Sequence, residues 1–234
     1  MINYLELHHS IEPKVVGVRT GLGAAYVDEA FYQRNQWYRE LFSGEYATKD
    51  RMKKWATMPD YGHPLLRIPL HKAGKLSDLV DAGLLKGYIV SEKLRVLLEN
   101  YKLPRHRYFD VTFTKGEQEV GGYWWLLYDL EDGRETVDFS QSEFNFSWHV
   151  REFKQQFTVT TYQQYTALFE EKGRAAQATR LVFNQHFDTT LDLWGTHFLS
   201  LYRGYISPRL LEAFQQHNIT GYSVREPRCK LLFT

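Results

Sequence analysis

Chemistry in this chain has to be sought among scattered side chains: nine histidines, 28 carboxylates, a single cysteine, and two serines that each follow a strand-like run. His8, His9, His63, His71, His106, His149, His186, His197 and His217 show neither the His-Glu-x-x-His spacing of a helix-borne zinc site nor any Cys-rich spacing. His8 and His9 are neighbours, and neighbours on a strand point to opposite faces, so they make poor joint ligands. No metal or other cofactor is expected, although remote histidines could still converge. The acid pairs Asp188 with Asp192 and Glu170 with Glu171 would do general acid–base work only where their environments separate their pKa values; otherwise they are caps or a solvated face. Cys229 lies between Arg228 and Lys230, which favours a thiolate, against the plainer reading of a packing residue. In Val15-Val16-Gly17-Val18-Arg19-Thr20-Gly21-Leu22-Gly23-Ala24-Ala25 a strand and glycine turn resemble a dinucleotide-binding turn, but Tyr26 stands where a third small residue is needed. An ordinary turn is the better reading. Ser91 and Ser207 lack the Gly-x-Ser-x-Gly frame of a nucleophile elbow.

These two serines belong to the elements that organise the chain. Gly87-Tyr88-Ile89-Val90-Ser91-Glu92-Lys93-Leu94 and Gly204-Tyr205-Ile206-Ser207-Pro208-Arg209-Leu210 both read as a strand running into a helix, with the serine as N-cap. Pro208 suits the first helical position. Leu94, Leu97, Leu98 and Tyr101 then recur at helical spacing, as do Leu210, Leu211, Phe214 and His217. Each helix gives way to a strand, Arg107–Phe113 in one case and Ile219–Val224 in the other. The upstream runs Leu65–Leu70 with Asp78-Leu79, and Leu181–Asn184 with Asp192-Leu193-Trp194, extend the likeness into a possible internal duplication.

Around this pair, strands are expected near Ile2–His8 and Lys14–Val18, and a helix from Asp28 to Phe42. Ser43–His63 is ambiguous. Lys115-Gly116-Glu117 turns into Tyr123–Tyr128, a hairpin partner for Tyr108–Phe113. Thr161 caps a helix reaching Lys172, with Gly173 as its stop. No Pro-rich or Gly/Ser-rich linker separates the halves, so one α+β domain over residues 1–234 is expected, with a mixed or mainly antiparallel sheet and packed helices. A finer division would give an N-terminal segment 1–64, a first unit with its hairpin over 65–145, and a second unit over 146–234.

With 29 basic and 28 acidic residues the formal net charge is +1, so no global field recruits nucleic acid or an anionic membrane. One cysteine forbids an intrachain disulfide framework, and no run approaches the ~20 apolar residues of a membrane span. Met1–Leu7 alternates and carries an acid, unlike a signal peptide, which makes a cytoplasmic location the expectation. The aromatic content is high: six Trp, 16 Tyr and 15 Phe. In the strand Tyr123–Tyr128, alternation sends Tyr123, Trp125 and Leu127 one way and Trp124, Leu126 and Tyr128 the other. Such a strand is either covered on both faces or offers Arg105, Arg107, Tyr108, Trp124, Trp125 and Tyr128 as a partner-binding face, Trp, Tyr and Arg being the usual anchors. Stacking on single-stranded nucleic acid is disfavoured by the neutral total charge.

The order Lys75–Leu79, Tyr88–Leu94, Tyr108–Val111, Tyr123–Trp125, Val137–Ser140, Gly204–Ser207 and Ile219–Tyr222 resembles the immunity-protein families of bacterial polymorphic toxin systems, over roughly residues 65 to 224. The resemblance implies a cytoplasmic, cofactor-free, non-catalytic protein that binds a cognate toxin and blocks its active site or assembly. The residues that carry it are architectural, so no set of toxin-binding positions transfers with it, and it sets no oligomeric state. Two other classes stand beside it: an enzyme using dispersed His, Asp and Glu in a cleft between the halves, and a purely structural domain.

Overall fold

Alternating burial along short β-branched and aromatic runs sorts the described residues into three sheets, of mixed or antiparallel pairing, with helices packed on them. The computed structural model describes residues 3–19, 23–35, 66–83, 87–145, 156–157, 159–172, 177–196, 198–199 and 204–234. The strands are β1 (Leu5–His9), β2 (Leu66–Pro69), β3 (Leu79–Val80), β4 (Tyr88–Ser91), β5 (His106–Lys115), β6 (Gln118–Tyr128), β7 (Glu143–Asn145), β8 (Gln156–Phe157), β9 (Gln177–Phe183), β10 (Leu193–Trp194), β11 (Gly204–Ile206), β12 (Tyr222–Arg225) and β13 (Lys230–Phe233). The helices are α1 (Pro13–Val16), α2 (Glu29–Arg34), α3 (Glu92–Leu98), α4 (Tyr162–Lys172) and α5 (Pro208–Gln216). None of the described helices is long and apolar enough to cross a membrane.

The internal likeness holds in three dimensions. The first sheet runs β3-β4-β6-β5-β2 and the second β10-β11-β1-β12. In both, a two-residue strand pairs antiparallel with the strand that enters the serine-capped helix: Leu79 faces Val90, and Leu193 faces Ile206. The next strand is β6 in the first sheet and β1 in the second, and the strand that follows the helix then pairs with it, β5 on β6 and β12 on β1. The N-terminal segment thus supplies the central strand of the second repeat, whereas in the first repeat that strand follows in sequence.

Register fixes how the two copies correspond. The shared Gly-Tyr-Ile triplets do not superpose; the serines set the correspondence, which places Val90 on Ile206, Ile89 on Tyr205 and Tyr88 on Gly204. Pleat explains this, because a one-residue slip would send each side chain to the wrong face. Tyr88 and Val90 point into the central core, where Ile206 also points, while Ile89 and Tyr205 point to the two outer cores. Gly204 is small for a reason: a Cβ there would come within 2.7 Å of the Tyr88 hydroxyl. That hydroxyl accepts from the Gly204 N–H at 2.6 Å and donates to the Leu7 carbonyl at 3.1 Å, tying one repeat to the other.

The central core lies between the repeats and draws matched residues from each: Leu79 and Leu193, Leu94 and Leu210, Leu98 and Phe214, Leu126 and Leu7. Outside the first sheet, α1, α2 and the Ala24–Ala25 segment cover Phe109, Trp125 and Leu127. Outside the second lies the third sheet, β13-β9-β7-β8, with Tyr165 of α4, over Tyr4, Trp194 and Tyr205.

Several boundaries differ from expectation. Residues 14–18 are not a strand: Pro13 starts a single helical turn and Gly17, at φ 79°, ends it. Proline at the first helical position and a left-handed glycine at the end outweigh the β-branched run Val15-Val16. The helix expected over Asp28–Phe42 is confirmed at its start, with the Asp28 carboxylate accepting from the Phe31 N–H at 2.7 Å, and described as far as Arg34. It ends there, short of the expected Phe42, because Asn35 leaves the helical conformation (φ −122°, ψ 58°) as its C-cap; residues 36–42 and the segment Ser43–His63 lie outside the described residues, as does the proposed stop at Gly173. Thr161 does cap α4, its hydroxyl accepting from the Gln164 N–H at 3.2 Å.

Candidate functional site

Both serines are helix caps, and each is held by an aspartate. Ser91 Oγ accepts from the Leu94 N–H at 3.2 Å and donates to Asp78 at 2.7 Å; Ser207 Oγ accepts from the Leu210 N–H at 3.1 Å and donates to Asp192 at 2.7 Å. Each hydroxyl is thus taken up on both sides in capping its helix, and no histidine is among its hydrogen-bond partners in the described residues. The second oxygen of each aspartate crosses to the other repeat. Asp78 accepts from the Thr220 N–H and Asp192 from the Lys102 N–H, each at 2.8 Å, so each repeat's cap aspartate holds the chain just after the other repeat's helix. Burial alone would raise the Asp192 pKa, but bonds from Arg209, the Lys102 N–H and Ser207 outweigh it and hold the carboxyl below its ordinary value. An open groove of about 530 Å³ beside it is lined by Asn3, Thr189, Thr190, Leu191 and the Asp192–Ser207–Arg209 cluster. Asp188 is paired with Lys102 at 2.7 Å. These acids are latches.

The remaining reactive candidates resolve in the same direction. Cys229 is buried, and burial pushes its thiol up to about 12, overriding the flanking cations. Gly17 and Gly23 lie hard against the Ala73 and Asp81 carbonyls, and the strand a dinucleotide turn needs is the α1 turn instead; Gly21 lies outside the described residues. No group of three or more His, Cys, Asp or Glu among the described residues is placed to hold a metal ion. His63, His149 and His197 lie outside those residues, as does the Glu170 side chain.

The hairpin β5–β6 divides the six expected surface residues among three environments. Trp125 is fully buried in the outer core and Tyr128 is 3% exposed in the central one, so neither belongs to a surface. They are covered because β6 is flanked by β4 and β5 and packed on both faces. Arg107, opposite Leu127, alternates onto the outer-core side, away from Tyr108. Arg105 is exposed before the strand begins. Only Tyr108 and Trp124 share a half-buried face, at the rim of the central core beside α3.

There a residue missed from the sequence completes a cluster. The Arg95 guanidinium of α3 lies 4.8 Å from the Trp124 ring centroid and 5.9 Å from that of Tyr108. It is fixed from both sides, bonding both oxygens of Glu92 at 2.7 and 2.9 Å and Glu99 at 2.9 Å. Trp124 Nε1 donates to the same Glu92 at 2.5 Å. The bond from Arg95 is the main reason the Glu92 pKa is lowered. Burial raises the Tyr108 hydroxyl to about 12, so it stays a neutral phenol. The i,i+3 and i,i+4 spacing of Glu92, Arg95 and Glu99 signals the ion pairs in the sequence, but nothing local reveals that Trp124 closes the cluster.

The second repeat supplies a control. Counting from the capping serines, Leu211 occupies the place of Arg95; by strand register, Leu5 occupies that of Trp124 and Val224 that of Tyr108. All three are half-buried against the same central core. The helix-on-sheet contact is therefore met with plain aliphatic residues in one repeat and with an Arg–Trp–Tyr stack in the other. No protein-family model matches this chain, and no curated protein matches it.

Proposed function

We propose that this chain is a non-catalytic protein-binding protein, acting as immunity proteins of bacterial polymorphic toxin systems do, by occupying a cognate toxin. The observation that carries the reading is the contrast between the repeats at one structural position. The architecture there is met by Leu211, Leu5 and Val224, so Arg95, Trp124 and Tyr108 exceed what folding requires. Trp, Tyr and Arg are the residue types that dominate binding energy at protein interfaces. A stack already fixed by Glu92 and Glu99 loses little side-chain freedom on binding.

The test is co-expression and co-purification with the product of the adjacent gene, followed by affinity measurements on variants. Trp124→Ala is expected to weaken binding by about 2 kcal/mol or more, roughly thirtyfold, while the melting transition stays cooperative. Arg107→Ala, on the opposite face, is expected to change affinity less than threefold. Unchanged affinity for Trp124→Ala in a folded protein would remove this surface.

A further inference from the structure

Charge around the stack points to the kind of partner it takes. Trp124 Nε1 ends on Glu92, whose side chain is 49% exposed, and Glu99 stands beyond Arg95 at 52%. Asp110 lies directly opposite Trp124 across β5 and β6 and is exposed. Two strand positions further along β5, Thr112 faces Arg67, which pairs with Glu119 at 3.2 Å, so that pair neutralises itself. The ring of carboxylates around Trp124 is thus Glu92, Glu99 and Asp110 against one guanidinium, Arg95, on a chain whose overall charge is +1. The second repeat shows no such ring: only Glu212 is acidic on its helix, and the residue in the place of Asp110 is Glu226, past the end of β12.

We infer that this patch, taken as the binding surface proposed above and resting on that reading, receives a cationic protein face, one presenting Lys or Arg around an apolar contact for Trp124. Opposite charge on the partner would speed encounter, and an acidic rim only partly neutralised by Arg95 would turn away acidic proteins. Because the carboxylates are exposed, their effect falls on association more than on dissociation and is screened within about 8 Å at physiological salt.

The experiment uses the full chain and the product of the adjacent gene, with association and dissociation rates measured at about 50 and 500 mM salt. Asp110→Lys, an exposed substitution outside the hydrogen-bonded stack, is expected to slow association about tenfold at low salt and to leave dissociation within twofold; Asp110→Asn should fall between. Trp124→Ala instead raises dissociation at both salt concentrations. If Trp124→Ala weakens binding while Asp110→Lys leaves association and its salt dependence unchanged, the inference of a cationic partner is overturned and the binding surface stands. If neither variant changes the rates, or no complex forms, both are overturned.

Discussion

The two repeats solve one packing problem with different residues. In each, a serine-capped helix lies against the central core, with an aspartate fixing the cap and reaching the opposite repeat. At the rim of that helix the second repeat places Leu211, Leu5 and Val224, and the first places Arg95, Trp124 and Tyr108. A contact satisfied by three aliphatic side chains does not need a guanidinium fixed over two rings. The difference separates what the fold demands from what has been added to it, a separation that a single-copy domain would not provide.

The aspartate latches test how equivalent the repeats are in stability, and they carry the largest expected effect. Asp192→Ala leaves the buried Ser207 hydroxyl and the Lys102 N–H without their acceptor and should cost about 3 kcal/mol. Asp78→Ala should cost less, about 1–2 kcal/mol, because its carboxylate is 13% exposed where that of Asp192 is 3%, so water replaces part of what is lost. Denaturant melts check the order; equal or reversed losses would mean the latches are not graded by burial. Asp192 also has a pH signature. Its folded pKa lies below the ordinary carboxylate value of about 4, so its contribution is full above that value and is lost as pH falls through the folded pKa.

A smaller effect lies where the repeats touch. His9 of β1 packs on the Tyr88 ring at 5.4 Å, with its Nδ1 4.0 Å from Asp81 and its Nε2 buried and without a hydrogen-bond partner. Its other neighbours are His8 and, across the strand pair, Tyr222. Burial lowers its pKa, a stronger influence than the opposing Asp81 charge. The neutral ring is the folded form, so the unfolded chain binds a proton first. Stability from His9 is present above its unfolded pKa of about 6.5 and declines as pH falls from there toward the folded value. Between pH 7 and pH 5 the wild type should therefore lose more stability than His9→Gln; parallel curves would show that His9 does not sense the contact.

Much of the architecture is legible in local chemistry. Ser91 and Ser207 as caps, the β5–β6 hairpin and the two-faced strand Tyr123–Tyr128 all follow from residue type and alternation. The α1 turn does not, because Val15-Val16 favours a strand until Pro13 and Gly17 are weighed together. The repeat was visible from the two capping serines, but that Gly204 answers to Tyr88 was not, because it rests on a contact between repeats that no local pattern contains. The proposed binding face was half legible for the same reason. Residue type nominated Trp125 and Tyr128 equally with Trp124, yet burial was decided by what covers each side of β6. Arg95 enters only when α3 is laid over the sheet.

The central claim is that the Arg–Trp–Tyr stack is an addition dispensable to the fold, and one variant tests it directly: Arg95→Leu, Trp124→Leu and Tyr108→Val together, which rewrites the first repeat's rim as the second's. Melting in denaturant and affinity for the adjacent gene's product would be measured on the same preparation. The prediction is a variant that still unfolds in one cooperative transition and loses no more than about 3 kcal/mol, the scale of large-to-small changes at half-buried positions, with affinity reduced at least a hundredfold. A folded variant that binds as tightly as wild type, or a loss of stability well beyond that margin, would contradict it.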